Sequence, residues 1–207
     1  MGIIILGAGG FAREVFFYLK SDGVYTDFIF VDDYNQKKSI QINNTSYVIV
    51  NDWNFDSYAG YKFLVGVGNP QLKRKLVLKA LEIGLKPAKT FIHSTAQLFD
   101  VNIGLGGVIA PGAVITTSVS IGNYLGINLN GTVGHDVLIG DYSQLNPGVH
   151  VSGNSTIGEL SLLGSGVVIN EGLTLNSNLT IGSQSVVVKN LKDPGTYIGV
   201  PAKKLIK

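Results

Sequence analysis

Residues 103–145 read IGLGGVIAPGAVITTSVSIGNYLGINLNGTVGHDVLIGDYSQL, and an aliphatic residue recurs in this stretch at every sixth position. The series is Ile103, Ile109, Ile115, Ile121, Ile127, Val133, Ile139 and Leu145, continuing without an insertion through Val151, Ile157, Leu163, Ile169, Leu175, Ile181 and Val187. Val, Ile and Leu make up about a third of the chain, so a run of this length has a chance probability on the order of 10⁻⁷. Two positions before each member after the first stands a small or aliphatic residue, from Gly107 and Ala113 to Leu179 and Ser185. A spacing of two inside a six-residue unit is a short strand with two inward side chains, followed by a turn. Gly104, Gly122, Gly140 and Gly158 each follow an aliphatic member and stand 18 apart, so three units close one coil. The pattern predicts a three-sided parallel β-solenoid. A sandwich or meander of short strands would instead place turn signals every ~8 to 12 residues. Each inward aliphatic residue contributes roughly 1.5 to 3 kcal/mol once neighbouring coils cover it. Backbone ordering costs ~1 to 2 kcal/mol per residue, so association of several solenoids would help.

Outward from the repeat, the first ninety residues carry no six-residue period, which puts a boundary near Lys86 to Thr95 and predicts domains over 1–89 and 90–207. Ile3 to Leu6 reads as a buried strand, Gly7-Ala8-Gly9-Gly10 as a tight turn and Phe11 to Lys20 as a helix. Asp27 to Asp32 reads as a second strand and Phe63 to Val67 as a third. Gly68-Asn69-Pro70 then opens a helix over Gln71 to Ile83, with proline at its start. Strand, glycine turn, helix, strand is a Rossmann-like α/β beginning, in which helix N-terminal amides favour a phosphate. Gly7-x-Gly9-x-x-Ala12 with Asp32 twenty residues on imitates a dinucleotide fingerprint. Ninety residues supply only half of a dinucleotide fold, which suits a mononucleotide or nucleoside diphosphate better; the glycines could also merely turn the chain. The whole chain of 207 residues has 14% charged residues and 27 glycines, as a turn-rich repeat requires, and no cysteine. Disulfides, thiol nucleophiles and cysteine-based metal sites are thereby excluded. A net charge of +2, scattered along the chain, gives no footprint for nucleic acid or an anionic membrane. The apolar run Ile3 to Leu6 is too short for a signal peptide or a membrane span, so a cytoplasmic protein is expected.

From Ala96 to Lys207, including the closing segment Gly199-Val200-Pro201-Ala202-Lys203, the chain resembles the hexapeptide-repeat acyltransferases. The resemblance implies a left-handed parallel β-helix, a homotrimer, and acyl-CoA bound between neighbouring solenoids. Joined to a small nucleotide-binding half domain, it narrows to the sugar-nucleotide N-acetyltransferases of bacterial surface-glycan (O-antigen) pathways, a family that includes sialic acid O-acetyltransferases. There the N-terminal domain holds the nucleoside diphosphate of an amino sugar. The matching positions are Gly7, Ala8, Gly9, Gly10, Asp32, Asp33 and the turn Gly66 to Asn69, with Gly68 and Asn69 near the ligand. Many members have Gly-His-Gly after the glycine loop where this chain has Phe11-Ala12, so any contact made by that histidine is lost.

Acetyl transfer needs a base for the nucleophile's proton and donors for the oxyanion. Of three histidines, His135 stands two positions after inward Val133, so it points outward, with Asp136 beside it. Adjacent residues on a strand face opposite ways; at a solenoid corner, where the repeat places them, the carboxylate can fix the imidazole tautomer. Gly134-His135-Asp136 resembles the family's His-Asp/Glu pair, which implies a general base. The same resemblance implies that Asn128 and Gln144 position the acceptor or the acetyl group, Gln144 standing where many relatives carry a second histidine. It also implies CoA contacts at Gly153, Ser165, Ser183, Pro201 and Lys203. Asn128 could equally be a turn residue. His93 reads as structural at the domain junction and His150 as a surface residue. The spacing of 93, 135 and 150 does not supply the zinc ligands of a γ-class carbonic anhydrase, so no metal is expected. The expected activity is direct transfer of acetyl from acetyl-CoA to the amine of a dTDP- or UDP-linked amino sugar, such as a 4-amino-4,6-dideoxyhexose. O-acetylation of a sialic acid or another sugar hydroxyl is the alternative enzyme. A non-catalytic solenoid scaffold would show long outward rows of Thr, and the outward residues here are mixed.

Overall fold

The computed structural model describes residues 1–32 and 38–206. Its N-terminal part is a six-stranded sheet built from β1 (Gly2–Leu6), β2 (Asp27–Val31), β3 (Ser39–Ile42), β4 (Thr45–Val50), β5 (Lys62–Val65) and β6 (Lys86–Pro87), in the order β3-β4-β2-β1-β5-β6. All pairings except the β3–β4 hairpin are parallel. Helices α1 (Gly10–Asp22) and α2 (Pro70–Glu82) cover the sheet. Ile3 to Leu6 are fully buried, because a central parallel strand has both faces covered. On α1 the buried residues Ala12, Val15, Phe16 and Leu19 form one stripe at helical spacing. Gly23 ends that helix in the left-handed conformation, φ 76°, its N–H bonded to the Lys20 carbonyl. The Asn69 side chain accepts from the Leu72 N–H and caps α2, with Pro70 in the first turn. Sequence reasoning gave no strands for residues 38–50. Asn43 and Asn44, at φ 48° and 62°, form the two-residue turn that makes the β3–β4 hairpin, and asparagine tolerates that conformation.

The solenoid begins at Phe91–Ile92, and its strands pair in parallel on three faces, at a register of 18 residues from Val108, Val114 and Val119 onward and of 17 where Phe91 and Gln97 start the first and second faces. The first face carries Phe91–Ile92, Val108–Ile109, Gly126–Ile127, Gln144–Leu145, Leu162–Leu163 and Leu179–Ile181. The second carries Gln97–Leu98, Val114–Ile115, Thr132–Val133, His150–Val151, Val168–Ile169 and Val186–Val187. The third carries Val101–Ile103, Val119–Ile121, Leu138–Ile139, Thr156–Ile157 and Thr174–Leu175. The six-residue ladder is the core of the prism: from Ile109 to Val187 every member is at most 5% exposed. This is the three-sided solenoid that the repeat predicted, and it matches the left-handed parallel β-helix that the resemblance implied. Gly195–Ile198 and Lys203–Lys204 close the first face, and the Val200–Pro201 peptide between them is cis.

The N-terminal sheet docks on the first face. Outward residues Phe91, Val108 and Gln144 there are buried, whereas their counterparts on the other faces are at least partly exposed. Phe63 of β5 stacks on Tyr124 with centroids 6.1 Å apart, and Tyr124 stacks on Tyr142 at 5.1 Å. Gln71 of α2 donates to the Asn178 side chain at 2.9 Å. Among the described residues no helix is long and apolar enough to cross a membrane.

Candidate active site

His135 and Asp136 lie in the turn between Thr132–Val133 and Leu138–Ile139, the corner between the second and third faces. The chain turns there because Asp136 takes a left-handed conformation, φ 57°, as Ser118 and Asn154 do one coil to either side. This backbone is what lets two adjacent side chains meet. The Asp136 carboxylate oxygen lies 2.8 Å from His135 Nδ1, and the side chains are 49% and 55% exposed. A carboxylate only accepts, so Nδ1 is the donor, and in a neutral imidazole that leaves Nε2 as the nitrogen with the free lone pair. The imidazole lies across Gly153 on the next coil: a Cβ added there would come within 2.6 Å of Nε2. Gly153 is therefore required for room, and its N–H donates no hydrogen bond among the described residues. A base and an unengaged backbone donor thus sit together at one corner.

A second candidate region is a cleft of about 280 Å³ at the C-terminal ends of β1, β2 and β5. Gly7, Ala8, Gly9, Gly10, Phe11, Val31, Asp32, Gly66, Val67, Gly68, Leu72 and Leu76 line it. Gly7 has φ 112°, and Gly66 allows Ala12 of α1 to approach within 2.8 Å of where a Cβ would be. Among the described residues, and apart from their chain neighbours and the helix's own backbone, nothing lies within 4 Å of a Cβ at Gly9 or Gly10, so those two leave open space in front of the α1 N-terminus, whose first turn has no acidic residue. The unpaired amides of a helix N-terminus favour an anion in such a space. Asn69 is outside the cleft and serves as the α2 cap. Asp33 lies outside the described residues. A larger cavity, about 750 Å³, opens at the other end of the sheet, where Lys62 and Lys86 begin β5 and β6.

The remaining residues singled out by sequence do not converge on His135 within one chain. Asn128 is buried at the corner between the first and second faces, where its side chain accepts from the Leu129 N–H. Ser165 and Ser183 stand at that same corner, the Gln184 N–H bonding the Ser165 carbonyl. Pro201 and Lys203 are exposed on the closing segment. Gln144 is 1% exposed under the N-terminal domain, on the face across the prism from the His135 corner. His93 bonds Thr95 at the domain junction, and exposed His150 bonds Thr132 on the second face. Among the described residues no group of His, Asp and Glu could hold a metal ion.

One residue escaped sequence reasoning. Lys73 is 1% exposed, its ammonium donating to the Ser143 carbonyl at 3.1 Å and to Gln144 Oε1 at 3.0 Å. Burial alone pushes its pKa down to about 7. The available signal was a lysine on the stripe Pro70, Leu76, Val77, Ala80 of α2.

Comparison with known proteins matches residues 2–80 to the PglD N-terminal domain and residues 136–171 to the bacterial transferase hexapeptide (six repeats). GDP-perosamine N-acetyltransferase of Escherichia coli O157:H7 is 29% identical over 150 residues, covering 70% of this chain and 66% of that protein. The matched region thus spans just under two thirds of that relative. The acetyltransferase domain of PglB from Neisseria gonorrhoeae, solved in complex with acetyl coenzyme A, is 28% identical with a TM-score of 0.87, covering 99% of this chain and 98% of that one. A mutant of perosamine N-acetyltransferase from Caulobacter crescentus, in complex with CoA and GDP-perosamine, is 28% identical with a TM-score of 0.90, covering 100% and 98%.

Proposed function

The chain joins a PglD N-terminal domain to transferase hexapeptide repeats and is homologous to sugar-nucleotide N-acetyltransferases, and from that premise we propose that it moves acetyl from acetyl-CoA to the amine of a nucleotide-linked amino sugar. Residues 1–89 hold the acceptor and residues 90–207 carry out the transfer. The observation that carries this reading is the His135–Asp136 pair beside the Gly153 N–H. His135 Nε2 takes a proton from the acceptor amine as the amine attacks the thioester carbonyl carbon. The Gly153 N–H donates to the oxygen that becomes negative, Asp136 steadies the imidazolium, and CoA leaves as a thiol with the proton returned. The repeat sets no serine beside His135 and the chain has no cysteine, which favours direct attack over a covalent acetyl-enzyme. Two relatives named for GDP-perosamine favour a guanine nucleotide over UDP or dTDP.

A homotrimer with shared sites is part of the proposal. His135 stands at one edge of the second face, Asn128, Ser165 and Ser183 at the other, and the cleft belongs to a domain docked on the face across the prism. A neighbouring copy laid against the second face, whose outward Val114, Val168 and Val186 are only half-buried, would bring these groups together. The test is a thiol-release assay with GDP-, UDP- and dTDP-linked amino sugars beside their hydroxy analogues. The amino sugars should react. His135→Gln should lower kcat by about 10²- to 10⁴-fold while acetyl-CoA binding persists. Unchanged turnover in that variant would remove the base; turnover of hydroxy sugars alone would make the enzyme an O-acetyltransferase.

A further inference from the structure

The contact between the two domains contains an arrangement that folding alone does not call for. Lys73 occupies a position on α2 where the stripe would place an aliphatic residue, and its two acceptors, Ser143 O and Gln144 Oε1, are both neutral. A buried ammonium without a counter-charge is costly. Gln144 is equally buried, and its Nε2 makes no hydrogen bond among the described residues. An unmade bond of this kind costs the desolvation of the donor. Room for the amide is provided by Gly126 on the neighbouring coil, where a Cβ would lie 2.2 Å from Gln144 Oε1. On the other side the Gln144 side chain reaches to Gly68: a Cβ there would be 3.9 Å from Gln144 Cγ. Gly68 is a wall of the glycine-loop cleft, and Leu72, next to Lys73 on α2, is another.

We propose that Lys73 is a positioning residue for the acceptor: gripping Gln144, it pins α2 and the Gly68 wall of the cleft to the solenoid and so fixes where a nucleotide-linked amino sugar sits. The inference rests on the reading of that cleft as the acceptor site. Acetyl-CoA, bound along the solenoid corners, does not depend on the pin. The pin therefore separates acceptor recognition from fold stability, which an ordinary packing residue cannot do.

The test uses the full-length chain, with calorimetric titration of GDP, UDP, dTDP and acetyl-CoA, thermal melts, and steady-state kinetics with the amino sugar of whichever nucleotide binds. Lys73→Met exchanges the ammonium for an apolar chain of similar length. Gly126→Ala, at a backbone position outside the positive-φ region, displaces the flexible end of Gln144, whose amide supplies the three atoms nearest to an added Cβ, and leaves the Lys73 side chain itself unchanged. In both variants we expect nucleoside diphosphate affinity to fall and the acceptor KM to rise by about tenfold, through lost preorganisation. The acetyl-CoA Kd should be unchanged, kcat should move less than about threefold, and the melting temperature of Lys73→Met should be equal or higher. Nucleotide affinity unaltered in both variants would overturn the pin. So would parallel losses of melting temperature, nucleotide and acetyl-CoA binding, which mark a merely structural contact. Failure of the wild-type chain to bind any of the three diphosphates while binding acetyl-CoA would overturn the cleft reading itself, and the pin with it.

Discussion

At the scale of single residues, the His135–Asp136 pair was legible in sequence and the buried lysine was not. Val133 and Val137 fix the inward phase on either side, and the six-residue count leaves His135 in the turn between two strands, at a corner, where a side chain faces out. Gln144 shares its parity with outward residues, yet its burial depends on a domain whose Lys73 lies 71 residues upstream. Lys73 carries a measurable consequence. An unfolded lysine titrates near its ordinary 10.5, whereas the folded one loses its proton near 7. Between those values the unfolded chain binds more protons, so this lysine makes stability rise with pH from about 7 to 10.5, and its contribution levels off outside the window. Urea unfolding of the wild type and of Lys73→Met at a series of pH values should show the rise in the first and its loss in the second. A rise of equal slope in both would assign it to other groups.

At the scale of elements, the corner explains why an acidic residue stands at 136. The position needs positive φ, which aspartate and asparagine tolerate better than most side chains. Asp136 therefore serves the turn and the imidazole at once, and substitution can separate the two. Asp136→Asn retains the left-handed preference and should fold as well as wild type, while losing the negative charge that steadies the imidazolium and at least about tenfold in kcat. Asp136→Ala should lose stability as well. Equal kcat for Asp136→Asn and wild type would leave the carboxylate with the turn alone. Elements of the N-terminal domain were legible where their apolar spacing was regular, as in α1 and β1. The β3–β4 hairpin was missed because its strands, SIQI and TSYVIV, mix exposed and buried positions and are announced only by Asn43-Asn44.

At the scale of the whole molecule, the separation of the His135 corner from the cleft across the prism yields a test of shared sites. A His135→Gln chain and a chain with its cleft blocked by Gly10→Glu should each be inactive alone. Co-expressed, they should form mixed assemblies in which an intact histidine meets an intact cleft of a neighbour, with about a quarter of wild-type turnover for random mixing. No recovery in verified mixed assemblies would mean that each chain works by itself. The sequence by itself determined the solenoid, its three-sided section, its core and the outward direction of His135, because a strict six-residue repeat makes local spacing and global position the same thing. It also determined that a glycine-turned α/β unit precedes the solenoid. Only the tertiary structure decided which face that unit covers, and hence that Gln144 is enclosed with Lys73 while His135 stays open. Docking depends on the outward surfaces of two units with different periods, and no spacing within either one encodes how those surfaces meet.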